Sequence, residues 1–163
     1  MRTRVFCAGT LIALATVFVS MAVFACSCAP LPDVATALDR ADAVFAGRVI
    51  GLELVPRYNE DPTVSFLTED LIVRLVASSC WKGDVELETV FYTAFTCCVC
   101  GFPFAIGESY IIYAIKDGDS LRTSMCTRTR LLVDASEDLV ILGDLRPVSL
   151  QSREVADPLT PCP

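Results

Sequence analysis

Two cysteines flanking a serine, Cys26-Ser27-Cys28, stand where an export signal would end, and they constrain this chain more than any other feature. Ahead of them lie a basic start (Met1-Arg2-Thr3-Arg4), an apolar run centred on Leu11 to Phe24, and Val23-Phe24-Ala25. Small or modest residues at the third and first positions before a cut suit signal peptidase. Residues 1–25 therefore read as a signal peptide, and Cys26 as the first residue of the mature chain. A membrane anchor would want about 20 uninterrupted apolar residues, whereas a polar, cysteine-rich segment follows this run at once. Val23-Phe24-Ala25-Cys26 is also a loose match to a bacterial lipoprotein cleavage box, although Phe24 is bulky for it. In that alternative Cys26 is lipidated and its amine acylated.

A cysteine at the very N-terminus offers an α-amine, a carbonyl and a thiol within one residue. Of the nine cysteines, Cys7 leaves with the signal, and Cys26, Cys28, Cys80, Cys97, Cys98, Cys100, Cys126 and Cys162 remain. An even number in an exported domain reads as a disulfide framework. Eight cysteines allow on the order of a hundred pairings, and spacing alone does not choose among them. Cys97-Cys98-Val99-Cys100 is open to a metal-thiolate reading, but the spacing is tighter than in separated Cys-x-x-Cys pairs, and an oxidising compartment favours bridges. Cys97 and Cys100 are also spaced like a redox pair, yet they follow a strand instead of opening a helix.

Composition narrows the chemistry further. The chain has no histidine, which removes Ser-His-Asp and Cys-His catalysis and the histidine-based zinc motifs. It is not expected to be an enzyme or to carry an intrinsic cofactor. The formal charge of −7 becomes −9 once Arg2 and Arg4 leave with the signal, so nucleic acid and anionic membranes are poor partners. Arg122, Arg128 and Arg130 form the one local basic cluster, read as a solvated face. Asn59 is followed by Glu60-Asp61, so no N-glycosylation sequon exists.

The mature part reads mainly as strands. Asp33 is a plausible N-cap for a short helix to Ala41, with Val34, Ala37 and Leu38 at helical spacing. Val44 to Leu54 is strand-like, and Gly47 and Gly51 mark bulges or bends. A polar loop from Pro56 to Pro62 leads to an extended stretch from Val64 to Ala77, in which Leu71, Val73 and Leu75 share a face. Trp81-Lys82-Gly83-Asp84 reads as a turn and Val85 to Thr93 as an alternating strand. Ser109 to Ile115 runs to an Asp117-Gly118 hairpin turn, and Leu121, Thr123 and Met125 share a face of the returning strand. Asp134 to Leu142 reads as an amphipathic helix capped by Asp134 with Glu137 three residues on. Trp81, Phe102 and Phe104 read as rim packing. Five strands with a short N-terminal helix and a C-terminal helix predict a mainly β fold, a disulfide-stabilised five-stranded OB-type barrel. Periodicity alone also permits a sandwich. The domain is expected to span 26–146, with a tail at 147–163 that ends near Cys162.

Several blocks then carry a resemblance. They are Cys26-Ser27-Cys28-Ala29-Pro30, Ala41 to Val49, Trp81-Lys82-Gly83, Cys100-Gly101, Gly107-Glu108-Ser109-Tyr110-Ile111 with Tyr113-Ala114, and Leu121 to Cys126. In this order the chain resembles the netrin-like inhibitory domain of the tissue inhibitors of metalloproteinases, and most of all their short, single-domain bacterial members. The resemblance implies bridges Cys26–Cys100 and Cys28–Cys126, leaving Cys80, Cys97, Cys98 and Cys162 unassigned. A further family bridge, from a cysteine about ten residues after the mature start, has no counterpart near Thr36, Ala37 and Leu38.

The function implied is inhibition of a zinc metalloproteinase by a secreted, monomeric domain. The amine and carbonyl of Cys26 would chelate the target's catalytic zinc, the only metal involved. Ser27 would enter the specificity pocket, Cys28-Ala29-Pro30 would lie along the cleft, and Val99 and Cys100 would form a second ridge. The alternative is a cell-envelope binding or structural module of the same fold with no protease target, tethered to the membrane if Cys26 is lipidated. The inhibitor would be extracellular or periplasmic.

Overall fold

A computed structural model describes residues 26–57, 68–95, 100–143 and 148–149. The leader, Cys97, Cys98, Val99 and Cys162 lie outside the described residues. Among the described residues no helix is long and apolar enough to cross a membrane.

The chain opens with helix α1 (Val34–Arg40), started by Asp33, whose carboxylate accepts the Thr36 amide at 2.8 Å. Strand β1 (Ala43–Arg57) follows, then β2 (Thr68–Lys82), β3 (Glu88–Ala94), β4 (Ser109–Asp117) and β5 (Ser120–Arg122). A short strand β6 (Arg130–Leu131), a 3-10 turn (Leu132–Asp134), helix α2 (Ser136–Gly143) and strand β7 (Val148–Ser149) complete it.

β1 pairs with β2, β2 with β3, β3 with β5, β5 with β4, and β4 returns to β1. The five strands close into a ring in which only β3 and β5 run parallel, at Tyr92 opposite Arg122. This is the OB-type barrel. β1 serves two partners because it bends: its register against β2 slips at Ala46/Gly47 and at Val49/Gly51, where the glycines stand.

Residues 43–47 of β1 and 110–114 of β4 are buried on both faces, which explains their continuous apolar runs. Ala43, Phe45, Val49, Tyr110, Ile112 and Ala114 face the barrel interior. Val44, Ala46, Ile111 and Tyr113 face outward, beneath Val34, Ala37 and Leu142 of the two helices. Inside, Phe45, Phe91, Phe104 and Tyr110 form an edge-to-face chain with centroids 4.9–5.8 Å apart.

Several expectations are corrected. Trp81 and Phe104 are buried in the two cores and are not rim residues. Trp81 and Lys82 end β2, and the Lys82 ammonium donates to the carbonyls of Leu38 and Asp39, both at 2.9 Å. It thereby satisfies the open end of α1. Residues 85–87 precede β3 instead of belonging to it. The hairpin turn is Gly118-Asp119, one residue later than expected, with Asp117 paired to Ser120 and Gly118 at φ 63°. β5 stops at Arg122, and Met125 lies in an exposed turn. α2 begins at Ser136, because Leu132–Asp134 winds as a 3-10 turn. Its outer face is apolar, with Val140 72% exposed, while Asp138 and Leu142 point inward.

Candidate functional site

The segment from Cys26 to Pro32 has no regular secondary structure and lies before the first helix. Cys26 is bonded to Cys100 and Cys28 to Cys126, with Cα separations of 5.4 and 5.1 Å. Cys26 and Cys28 turn toward the barrel, while Ser27 and Ala29 are exposed, as are Pro30 and Leu31. The bridges close loops of 74 and 98 residues, each worth about 4 kcal/mol in the chain-entropy picture. The Sγ atoms of Cys26, Cys100 and Cys126 lie within 4.8 Å of one another. The two bridges therefore sit side by side, and their sulfurs are consumed in disulfides instead of offering a thiolate site. Cys80 is disulfide-bonded as well.

The platform under the bridges is built from backbone. The Met125 amide donates to the Cys100 carbonyl at 2.9 Å, and the Phe102 amide to the Thr93 hydroxyl at 2.8 Å. Between them Gly101 lies against the end of β3, where any Cβ would run into the Ala94 carbonyl. The Cys-Gly pair thus combines a bridge with the close approach the bridge requires. Beside Cys100 a hollow of about 340 Å³ is lined by Arg57, Lys116, Arg122 and the hydroxyl residues Thr123, Ser124 and Thr127. Leu31 and Met125 leave apolar surface exposed next to the bridged cysteines.

Sequence reasoning missed the ionic framework behind this segment. The three arginines do not form a solvated face. Arg122 makes a two-pronged pair with Asp70, at 2.6 and 3.0 Å. Arg128 is only 6% exposed; it donates to Asp138 Oδ1 at 2.7 Å and also pairs with Glu137. Arg130 reaches the other Asp138 oxygen at 3.7 Å. Asp138, with no exposed surface, also accepts the Tyr113 hydroxyl at 2.7 Å. Burial works against the Arg128 charge, but hydrogen bonds to Asp138 and Glu137 outweigh it and hold the guanidinium above its ordinary value. Burial first, then the Asp138 carboxylate, pushes the Tyr113 phenol well up, so this hydroxyl stays a donor. One arm of Arg128 remains, and it donates to the Pro32 carbonyl at 2.8 Å.

One sequence signal pointed there. Asp138 stands four residues before buried Leu142, on the inward stripe of α2, where an unpaired carboxylate would be costly. The arrangement ties residues 26–32 to the barrel and leaves Ser27, Ala29, Pro30 and Leu31 exposed. No known protein-family model matches this chain, and no curated protein matches it.

Proposed function

We propose that this chain is an exported inhibitor of zinc metalloendopeptidases, similar in mode to the tissue inhibitors of metalloproteinases. The observation that carries this reading is the double clamp on the N-terminal segment: Cys26–Cys100 and Cys28–Cys126 fix Cys26 while leaving Ser27, Ala29, Pro30 and Leu31 exposed. Once the leader is removed after Ala25, the α-amine and carbonyl of Cys26 form a five-membered chelate donor set. A catalytic zinc keeps an open position that accepts such donors in place of its water. A free α-amine has a pKa of about 7.7–8.0, low enough for the metal to displace its proton.

Ser27 then faces the pocket beside the zinc, and Cys28-Ala29-Pro30 follows the substrate cleft. Cys100, with Val99 before it in the sequence, would supply the second contact that the resemblance implies. The clamps remove ordering cost that a free peptide would bear on binding. Zinc enters only with the target, and the inhibitor holds none of its own. An extra alanine ahead of Cys26 moves the amine off the metal without touching the barrel. Inhibition of zinc endopeptidases by that variant is expected to fall by at least about 100-fold, roughly 2.7 kcal/mol, with an unchanged unfolding transition. Undiminished inhibition would eliminate zinc chelation.

A further inference from the structure

We infer that Arg128 is a positioning residue for the N-terminal ridge, holding Pro32 so that residues 26–31 present one shape to a partner. This rests on the reading of Cys26 as the zinc ligand. The ridge has few ways to hold itself. Pro30 and Pro32 lack amide hydrogens, so they offer carbonyls only. A hollow of about 120 Å³ borders Pro32, and Ala37, Ala41, Tyr113, Cys126 and Arg128 share its lining.

Arg128 bridges that gap. It stands two residues beyond Cys126, which holds Cys28, so the covalent clamp and the hydrogen-bonded clamp issue from one stretch of backbone. The ridge is fixed at Cys26, Cys28 and Pro32, and the residues between project outward. A guanidinium fits this task because its donors are set in a rigid planar fork. Asp138 and Glu137 orient the fork from α2, Tyr113 fixes Asp138 from β4, and the remaining arm meets the Pro32 carbonyl. Arg128 acts through Pro32 and is not placed on the zinc.

The test uses the mature chain beginning at Cys26, with Arg128→Lys and the paired change Arg128→Met with Asp138→Asn. The paired change removes the two most deeply buried charges together and leaves the partly exposed Arg130 to solvent, so the barrel is expected to keep its fold. Amide relaxation reads the ridge directly. In the paired variant the order parameters of Ala29 and Leu31 are expected to drop from about 0.85 to below about 0.6, while Phe45 and Ile112 in the barrel stay unchanged. Dissociation from the catalytic domain of a zinc endopeptidase is expected to speed up at least about 10-fold, with association altered less than about 3-fold. Arg128→Lys, which keeps the charge without the fork, is expected to fall between. An unchanged ridge in the paired variant overturns the inference, and so does equal loss of order across the barrel, which would make Arg128 an ordinary core residue. If the unaltered chain inhibits no zinc endopeptidase, the chelation reading fails, and the relaxation measurement alone decides the positioning role.

Discussion

The barrel and the terminal ridge are held by opposite means. Residues 43–47 of β1 and 110–114 of β4 are buried on both faces, sharing their burial with neighbours across two cores. Among the described residues, segment 26–32 is fixed at three points: two disulfides and one hydrogen bond from Arg128. Distributed burial makes a fold that yields gradually to substitution, whereas point attachments make a shape that is lost when one of them goes. A protein whose task is to present a rigid peptide needs the first as a base for the second.

Three perturbations should separate the two regions. Replacing Cys28 and Cys126 together by serine is expected to have the largest effect: about 4 kcal/mol of stability and at least about 100-fold in inhibition. Denaturant titration beside an inhibition assay reads both. Phe91→Ala strikes the centre of the aromatic chain, where the ring has no exposed surface. It is expected to cost about 3 kcal/mol or more through the cavity it leaves. Inhibition per folded molecule should stay as it was, since the ridge contacts are untouched; loss in step with the bridge variant would mean that the regions are not separable.

The smallest effect concerns the start of α1. The Thr36 amide, with help from the Thr36 hydroxyl, lowers the Asp33 pKa below 3.8. A lowered value means that the cap contributes fully above about pH 4. It is lost as the pH falls through the folded value. The Thr36 amide resonance is expected to move in that acid range, while the strand amides of β1 remain still.

What the sequence made legible follows the same division. The apolar runs of Val44 to Leu54 and Ser109 to Ile115, the glycines that bend β1, and the Asp33 cap are local signals, and the structure has these elements. The bridges were legible only through resemblance, because cysteine spacing leaves the pairings open. The pairings of the ionic framework were not legible. Arg122, Arg128 and Arg130 look like a wet cluster until Asp70 and Asp138 are brought to them from 52 and 10 residues away. α2 misled for a related reason. Its inward face carries Asp138, while Leu139, Val140 and Ile141 face out, so the helix does not divide polar from apolar as an amphipathic reading expects.

The claim on which the account turns is that Cys26 carries a free amine inside a clamped terminus. The intact mass and N-terminal residue of the exported protein test it most directly. The account predicts an unmodified Cys26 at the N-terminus, with Cys26, Cys28, Cys100 and Cys126 all oxidised. A lipidated or acylated Cys26, or cleavage at any other position, would contradict it and leave the barrel as an envelope-associated binding module.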